Sequence, residues 1–240
     1  MAPSAIPSLP TAIPTTSAPS PSSVLSNGLE IYYPFSNSSV SGSLVADLAK
    51  GSPVFDAKLQ NGATVVNREL HLSSSQSQFL SVGEFTISNN GLTFASWFRS
   101  DGSGSFARIF DFGNGQASDN IIMGLLETRN QLYVEVYYGS QDSRRWYSAL
   151  TYNDNVWYHA AWVLNPTGNW TVYLDGQAII HATGMTYPNL IARSSNYLGR
   201  SNWGVDAYWN GAFRDFRMYN RIMSAAEVNL LFTTTQVNLS

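Results

Sequence analysis

The chain has 240 residues, no cysteine, 13 basic and 16 acidic side chains, and an aromatic complement of 7 Trp, 13 Tyr and 12 Phe. That length suits one large β domain or two small ones, and the lack of cysteine excludes a disulfide framework, a thiolate metal site and a cysteine nucleophile. A net charge of −3, with no basic run beyond Arg144-Arg145, argues against nucleic-acid binding. Solubility has to come from uncharged polar residues, 32 Ser, 20 Asn and 18 Gly, and with only Lys50 and Lys58 as lysines the composition of a helical bundle is missing.

Residues 1–26 hold six of the ten prolines and no charge. Such a stretch cannot bury a core, and its composition predicts an extended, polyproline-like arm or linker. It lacks the basic n-region and unbroken apolar run of a secretory signal peptide. No segment approaches the roughly 18 consecutive apolar residues of a membrane span.

From Asn27 the composition changes and stays uniform, so residues 27–235 read as one domain. Short alternating or aromatic-rich segments recur between Gly, Asn, Asp and Ser clusters. In order they are Leu29 to Phe35, Gln78 to Val82, Leu92 to Arg99, Ala107 to Phe112, Asn120 to Leu126, Gln131 to Tyr138, Trp157 to Leu164, Trp170 to Leu174, Gln177 to His181, Asn196 to Gly199 and Trp209 to Tyr219. This spacing predicts an all-β sandwich or barrel. Asp175-Gly176 between two such runs predicts a type I′ hairpin with Leu174 opposite Gln177, Tyr173 opposite Ala178, Val172 opposite Ile179 and Thr171 opposite Ile180. Ser224-Ala225-Ala226-Glu227 is a capping box and predicts a short helix after the last strand.

Several of these segments together resemble the laminin G-like, concanavalin A-like lectin/glucanase family. The resemblance covers about residues 28 to 232. It rests on Gly28 to Phe35, Leu92 to Phe98, Ile109 to Gly113, Trp157 to Val163 leading into the Tyr173-x-Asp175-Gly176 hairpin, and Gly199 through Arg221 followed by the capping box. It implies a jelly-roll sandwich of two antiparallel sheets with a short C-terminal helix, serving as a recognition module for carbohydrate or protein, with calcium common among relatives. For metal the resemblance points to Asp47 in a polar loop and to Asp215, although the closing pair that is often Asp-Asp reads Arg214-Asp215 here.

Fold alone does not assign function. The hydrolases of this family carry a Glu-x-Asp-x-(x)-Glu string, and no Glu of this chain has an Asp two residues later, so the expectation is a non-catalytic domain. The histidines His159 and His181 read as packing residues. Sugar recognition needs an aromatic face flanked by amide, hydroxyl or carboxylate groups, and two stretches supply both. One contains Asn202, Trp203 and Asp206; the other runs from Tyr137 through Trp146 to Tyr147. Trp97, Trp157, Trp162, Trp170 and Trp209 fall at the family's core positions. The expected partners are a glycan or glycoprotein surface, at an extracellular, cell-surface or virion location. The competing expectation is a structural subunit docked to neighbouring chains through residues 1–26.

Overall fold

The computed structural model describes residues 20–49, 55–126, 131–140 and 142–236. Most of the arm, residues 1–19, lies outside the described residues, and so does the docking role expected of it.

The first strands are β1 (Leu29–Tyr33), β2 (Val40–Ser41), β3 (Leu44–Val45), β4 (Ala57–Gln60), β5 (Thr64–Val66), β6 (Glu69–Leu72), β7 (Phe79–Val82), β8 (Phe85–Thr86) and β9 (Leu92–Ser100). After them come β10 (Arg108–Gly113), β11 (Ile121–Leu126), β12 (Gln131–Tyr138), β13 (Asp142–Thr151), β14 (Tyr158–Asn165) and β15 (Asn169–Leu174). The last are β16 (Gln177–Ala182), β17 (Ala192–Arg193), β18 (Ser195–Leu198) and β19 (Gly211–Tyr219); helices α1 (Pro21–Ser26) and α2 (Ala225–Gln236) flank the set.

Two large antiparallel sheets result. One runs β16, β15, β14, β9, β19, β6, β5, with β1 also on β19; the other runs β13, β12, β11, β10, β18, β7, β4, β3, β2. Side chains alternate across each strand, so each sheet turns one apolar row inward. Phe94, Phe98 and Trp162 from the first meet Phe110, Phe112, Met123 and Val134 from the second. The rings interlock, with Phe94 to Phe110 at 4.8 Å, Phe110 to Phe216 at 6.0 Å and Trp162 to Trp170 at 5.0 Å between centroids. Each such buried side chain stabilises the fold by about 1.5–3 kcal/mol. This is the two-sheet sandwich expected from the strand spacing. Trp97, Trp162, Trp170 and Trp209 are buried, as expected, whereas Trp157 is only partly so, lying beneath the guanidinium groups of Arg99 and Arg214.

The outer face of the first sheet is covered too. Ala95, Ala161, Val163 and Tyr219 form a second core with Leu25 of α1, Met223, and Val228 and Leu231 of α2. The capping box forms as predicted, the Glu227 N–H donating to Ser224 Oγ (3.3 Å) while Glu227 Oε2 accepts from the Ser224 N–H (2.8 Å). The helix then runs through Thr233-Thr234-Thr235, whose hydroxyls donate back to carbonyls of the preceding turn. Pro21–Ser26, which the composition places in an extended stretch, are helical. Ser20 caps them by accepting from the Ser23 N–H, Pro21 occupies the first turn, and Arg221 donates to the carbonyls of Val24 (3.1 Å) and Asn27 (2.7 Å).

The 173–178 hairpin turns through Asp175 (φ 46°) and Gly176 (φ 77°), the positive angles a type I′ turn requires. Leu174 faces Gln177 and Tyr173 faces Ala178, as expected, but a β-bulge then intervenes, so Val172 faces Ile180 and Thr171 faces His181. The bulge puts Ile180 in the core and leaves Ile179 at its edge. Ile180→Ala is therefore expected to cost about 2–5 kcal/mol, and Ile179→Ala clearly less, in urea denaturation; the register expected from the turn alone would reverse the order.

His159 lies fully enclosed in the second core, its ring 5.2 Å from Trp97 and 5.9 Å from Phe232. Burial lowers its pKa from 6.5 to about 4. The unfolded chain then binds a proton that the folded chain refuses, so this contribution to stability is full above about 6.5 and is lost as pH falls toward 4. Thermal midpoints measured across that window should fall with pH in the native chain, and His159→Gln should flatten the slope.

Candidate functional site

The helices cover part of the first sheet's outer face, and the second sheet's outer face carries its own cluster of charged and aromatic side chains. On β12, Leu132, Val134 and Val136 enter the core, so Tyr133, Glu135 and Tyr137 point outward. Strand register extends the row, with Glu135 opposite both Ile122 and Arg145, and Ile122 opposite Asp111. A bulge at the start of β10 brings Arg108 to the same face.

Gly124 sits between Arg108 and Tyr133 in this register. A Cβ there would lie 2.6 Å from the Ala107 carbonyl oxygen and 3.2 Å from the Tyr133 ring, so glycine is what lets that ring approach. The Arg108 guanidinium is surrounded by the rings of Tyr133 (5.3 Å), Trp203 (5.5 Å) and Phe106 (5.7 Å). Phe106 holds this position with φ 56°, a left-handed backbone that costs a bulky residue about 1–3 kcal/mol.

The loop after β18 closes the site. Asp111, entirely buried, accepts from the Asn202 N–H (2.8 Å), from Asn202 Nδ2 (2.9 Å) and from Asn120 Nδ2 (2.8 Å). Burial raises its pKa, and the Asn202 amides, Arg108 and Asn120 act in the opposite direction. Asp206 accepts from Arg108 Nη2 and from Ser201 Oγ, each at 2.7 Å, and Ser201 Oγ accepts from the Trp203 N–H (3.0 Å). Thus fixed, the Trp203 ring lies 5.2 Å from that of Tyr137. A cavity of about 180 Å³ opens between Phe106, Arg108, Glu135, Tyr137, Arg145, Trp203 and Asp206.

Of the predicted ligand residues, Trp203, Tyr137 and Asp206 meet in this cavity. Asn202 does not line it; its side chain is spent on Asp111 and on the Ser195 carbonyl (3.0 Å), which anchors the loop. Trp146 lies elsewhere. It pairs with Val134, whose side chain faces inward, while its neighbour Arg145 pairs with the outward Glu135, so Trp146 sits on the other face of the edge strand, 46% exposed. Arg108, Glu135 and Arg145 are the residues that sequence reasoning left out of the site. The alternation Tyr133-x-Glu135-x-Tyr137 was the available signal.

A larger cavity, about 480 Å³, lies on the opposite side between α1, α2 and β1; Arg68, Asp215 and Arg217 are its charged lining groups, and the last two pair with each other at 2.5 Å. That pair bears on calcium. Both Asp215 oxygens accept from Arg217, and one also from the Tyr32 hydroxyl (3.2 Å). The Asp47 oxygens accept from the backbone N–H groups of Tyr32, Ala49 and Phe55. These two carboxylates hold a bulge and a loop, and among the described residues no group of three or more His, Asp or Glu side chains is arranged to hold a metal. Calcium requires a cage of several oxygens, and both of these carboxylates are already engaged by protein donors. Unfolding midpoints in calcium and in chelator are expected to coincide; a calcium-dependent rise would contradict this assignment of Asp47 and Asp215.

Among curated proteins none matches the sequence. Several solved structures share the fold. A Trypanosoma rangeli sialidase in complex with sialic acid is 17% identical with a TM-score of 0.64, over 88% of this chain and 33% of that one. The binding domain of botulinum neurotoxin DC in complex with SialylT is 11% identical with a TM-score of 0.65, over 88% and 52%. The binding domain of botulinum neurotoxin serotype D/C is 12% identical with a TM-score of 0.63, over 88% and 53%. This chain thus spans a third to about half of those chains, and identities this low establish the fold alone. A model of the concanavalin A-like lectin/glucanases superfamily matches residues 73–229, more than half of the sequence, and the chain belongs to that superfamily.

Proposed function

We propose that this domain is a non-catalytic carbohydrate-recognition module and that the cavity beside Trp203 receives the sugar. The observation that carries the reading is the pairing of Trp203 with Tyr137 over a floor of charged groups: an apolar ring face for the sugar, ringed by Arg145, Glu135 and Asp206 as hydrogen-bonding partners. At about 180 Å³ the cavity is smaller than the roughly 300–1,000 Å³ of drug-sized pockets, which suits one sugar ring of a longer glycan. Neighbours of the same fold include a toxin binding domain in complex with SialylT and a sialidase in complex with sialic acid, in keeping with a glycan ligand. Such a module would work at a cell surface, outside cells or on a virion, where glycans are displayed.

Hydrolysis is the less favoured reading. It needs a carboxyl group free to give up a proton and a second carboxylate across the bond. The two carboxylates lining the cavity are each hydrogen-bonded to an arginine, Glu135 to Arg145 at 2.8 Å and Asp206 to Arg108 at 2.7 Å. Asp111 is sealed behind Asn202 and Asn120.

For a glycan selected on an array, calorimetric titration should show Trp203→Ala losing about 2 kcal/mol or more of binding, roughly 30-fold in Kd, with circular dichroism unchanged. Trp146→Ala should bind as the native chain does. Equal binding by both variants would move the site away from this cavity.

A further inference from the structure

Taking this cavity as the sugar site, the balance of its donors, acceptors and charges narrows the ligand further. The cavity wall holds two guanidinium groups, those of Arg108 and Arg145. Arg108 donates from Nη2 to Asp206, while its Nε and Nη1, both buried, have no hydrogen-bond partner, and Nε comes no nearer to Asp111 than 3.9 Å. The buried Tyr133 hydroxyl, on the ring stacked against Arg108, is likewise without a partner. All three orphaned groups carry hydrogens to donate. Buried donors of this kind are rare in a finished structure, and leaving one unmade costs about 1–3 kcal/mol.

The exposed charge at the cavity has one sign. The Arg145 side chain is 38% exposed, whereas its partner Glu135 is 2% exposed; Asp206 is 11% exposed and is held by Arg108. A molecule at the mouth therefore meets a cation first, with both carboxylates already neutralised behind it. Burial lowers the pKa of Arg108, an effect that Asp111, Asp206 and Glu135 oppose and the neighbouring Arg145 reinforces. Phe106, held in a strained backbone at the same wall, fits a site prepared for a ligand.

We propose that the cavity takes an acidic sugar, its ring against Trp203 and Tyr137 and its carboxylate between Arg145 and the wall formed by Arg108. Guanidinium is the side chain suited to this task, because its planar fork meets both oxygens of a carboxylate. A neutral sugar would find the ring face but supply no charge.

The test keeps the native protein and changes the ligand. Methyl glucuronide and the 2-O-methyl glycoside of N-acetylneuraminic acid are titrated alongside their methyl esters and methyl glucoside, and Trp203 fluorescence and amide shifts are followed. At least one acid should bind at least about ten-fold more tightly than its own ester, the difference expected of a charge-assisted hydrogen bond, and should weaken as salt is raised. Arg145→Lys, which keeps a cation beside Glu135, should lose more affinity for that acid than for its ester. If esters, methyl glucoside and acids all bind equally, the acidic-sugar inference fails while the cavity remains a sugar site. If none of the probes perturbs Trp203, but an array-selected glycan is lost with Trp203→Ala, the inference fails in the same way. If that glycan survives Trp203→Ala, the reading of the cavity itself fails.

Discussion

A carboxylate with no solvent exposure has to be neutralised where it stands, and Asp111, in the middle of the nine-stranded sheet, sets that demand for the whole outer face. An ionised group removed from water is tolerated only when hydrogen bonds and opposite charge replace the water. Two of the three hydrogen bonds it receives come from one residue, Asn202, and the third comes from Asn120, whose own Oδ1 holds the Ser118 N–H. Satisfying Asp111 therefore fixes the loop that carries Trp203 one residue later. The same loop returns Asp206 to Arg108, and Arg108 lies beside Asp111 in the sheet. The position of the aromatic wall is thus a consequence of where a buried charge found its donors.

The two sheets solve the problem of their outer faces differently. On the first, the helices bury Ala95, Ala161, Val163 and Tyr219 and so extend the apolar interior. Beyond the helices' reach, the same face carries Glu69 with Arg99 and Arg214, the two guanidinium groups lying over Trp157. On the second sheet no α-helix among the described residues covers the outer face, which is closed by one loop, by stacked arginines and by rings. Arg200 repeats the device beyond Trp203, lying 4.7 Å from the Phe79 centroid and 4.5 Å from that of Tyr197. A chain with so few charges uses its arginines as flat packing pieces as much as cations.

What could be read in advance follows from what each signal measures. Strands rich in buried side chains, such as β9, β12 and β14, announce themselves by alternation or aromatic density, and all were expected where they lie. β13 was not, because as an edge strand it buries only Ser148, and Asp142-Ser143-Arg144-Arg145 carries no burial pattern to detect. The hairpin turn was legible from Asp175-Gly176, yet a bulge three residues later depends on which isoleucine the core accepts, a tertiary choice. Ser20-Pro21 is a proper helix start, hidden inside a run of prolines that reads as an arm. The aromatic half of the candidate site was legible because a lone Trp in a polar loop is conspicuous. Its charged half was not, because Arg108, Glu135 and Arg145 stand on three strands and meet only through register.

That register also bears on how one superfamily carries both hydrolases and binding domains. A sheet face with paired carboxylates becomes catalytic when one of them is free to hold a proton near neutral pH, which requires desolvation or a neighbouring negative charge. Here each cavity carboxylate is met instead by a guanidinium at hydrogen-bond distance. An ion pair of this kind occupies its carboxylate and orients it, which favours accepting hydrogen bonds. Arginine, which stays charged throughout the accessible pH range, makes that commitment permanent. The same two arginines line the cavity, so on the proposed reading one choice of partners both occupies the carboxylates and offers guanidinium groups to an anionic ligand.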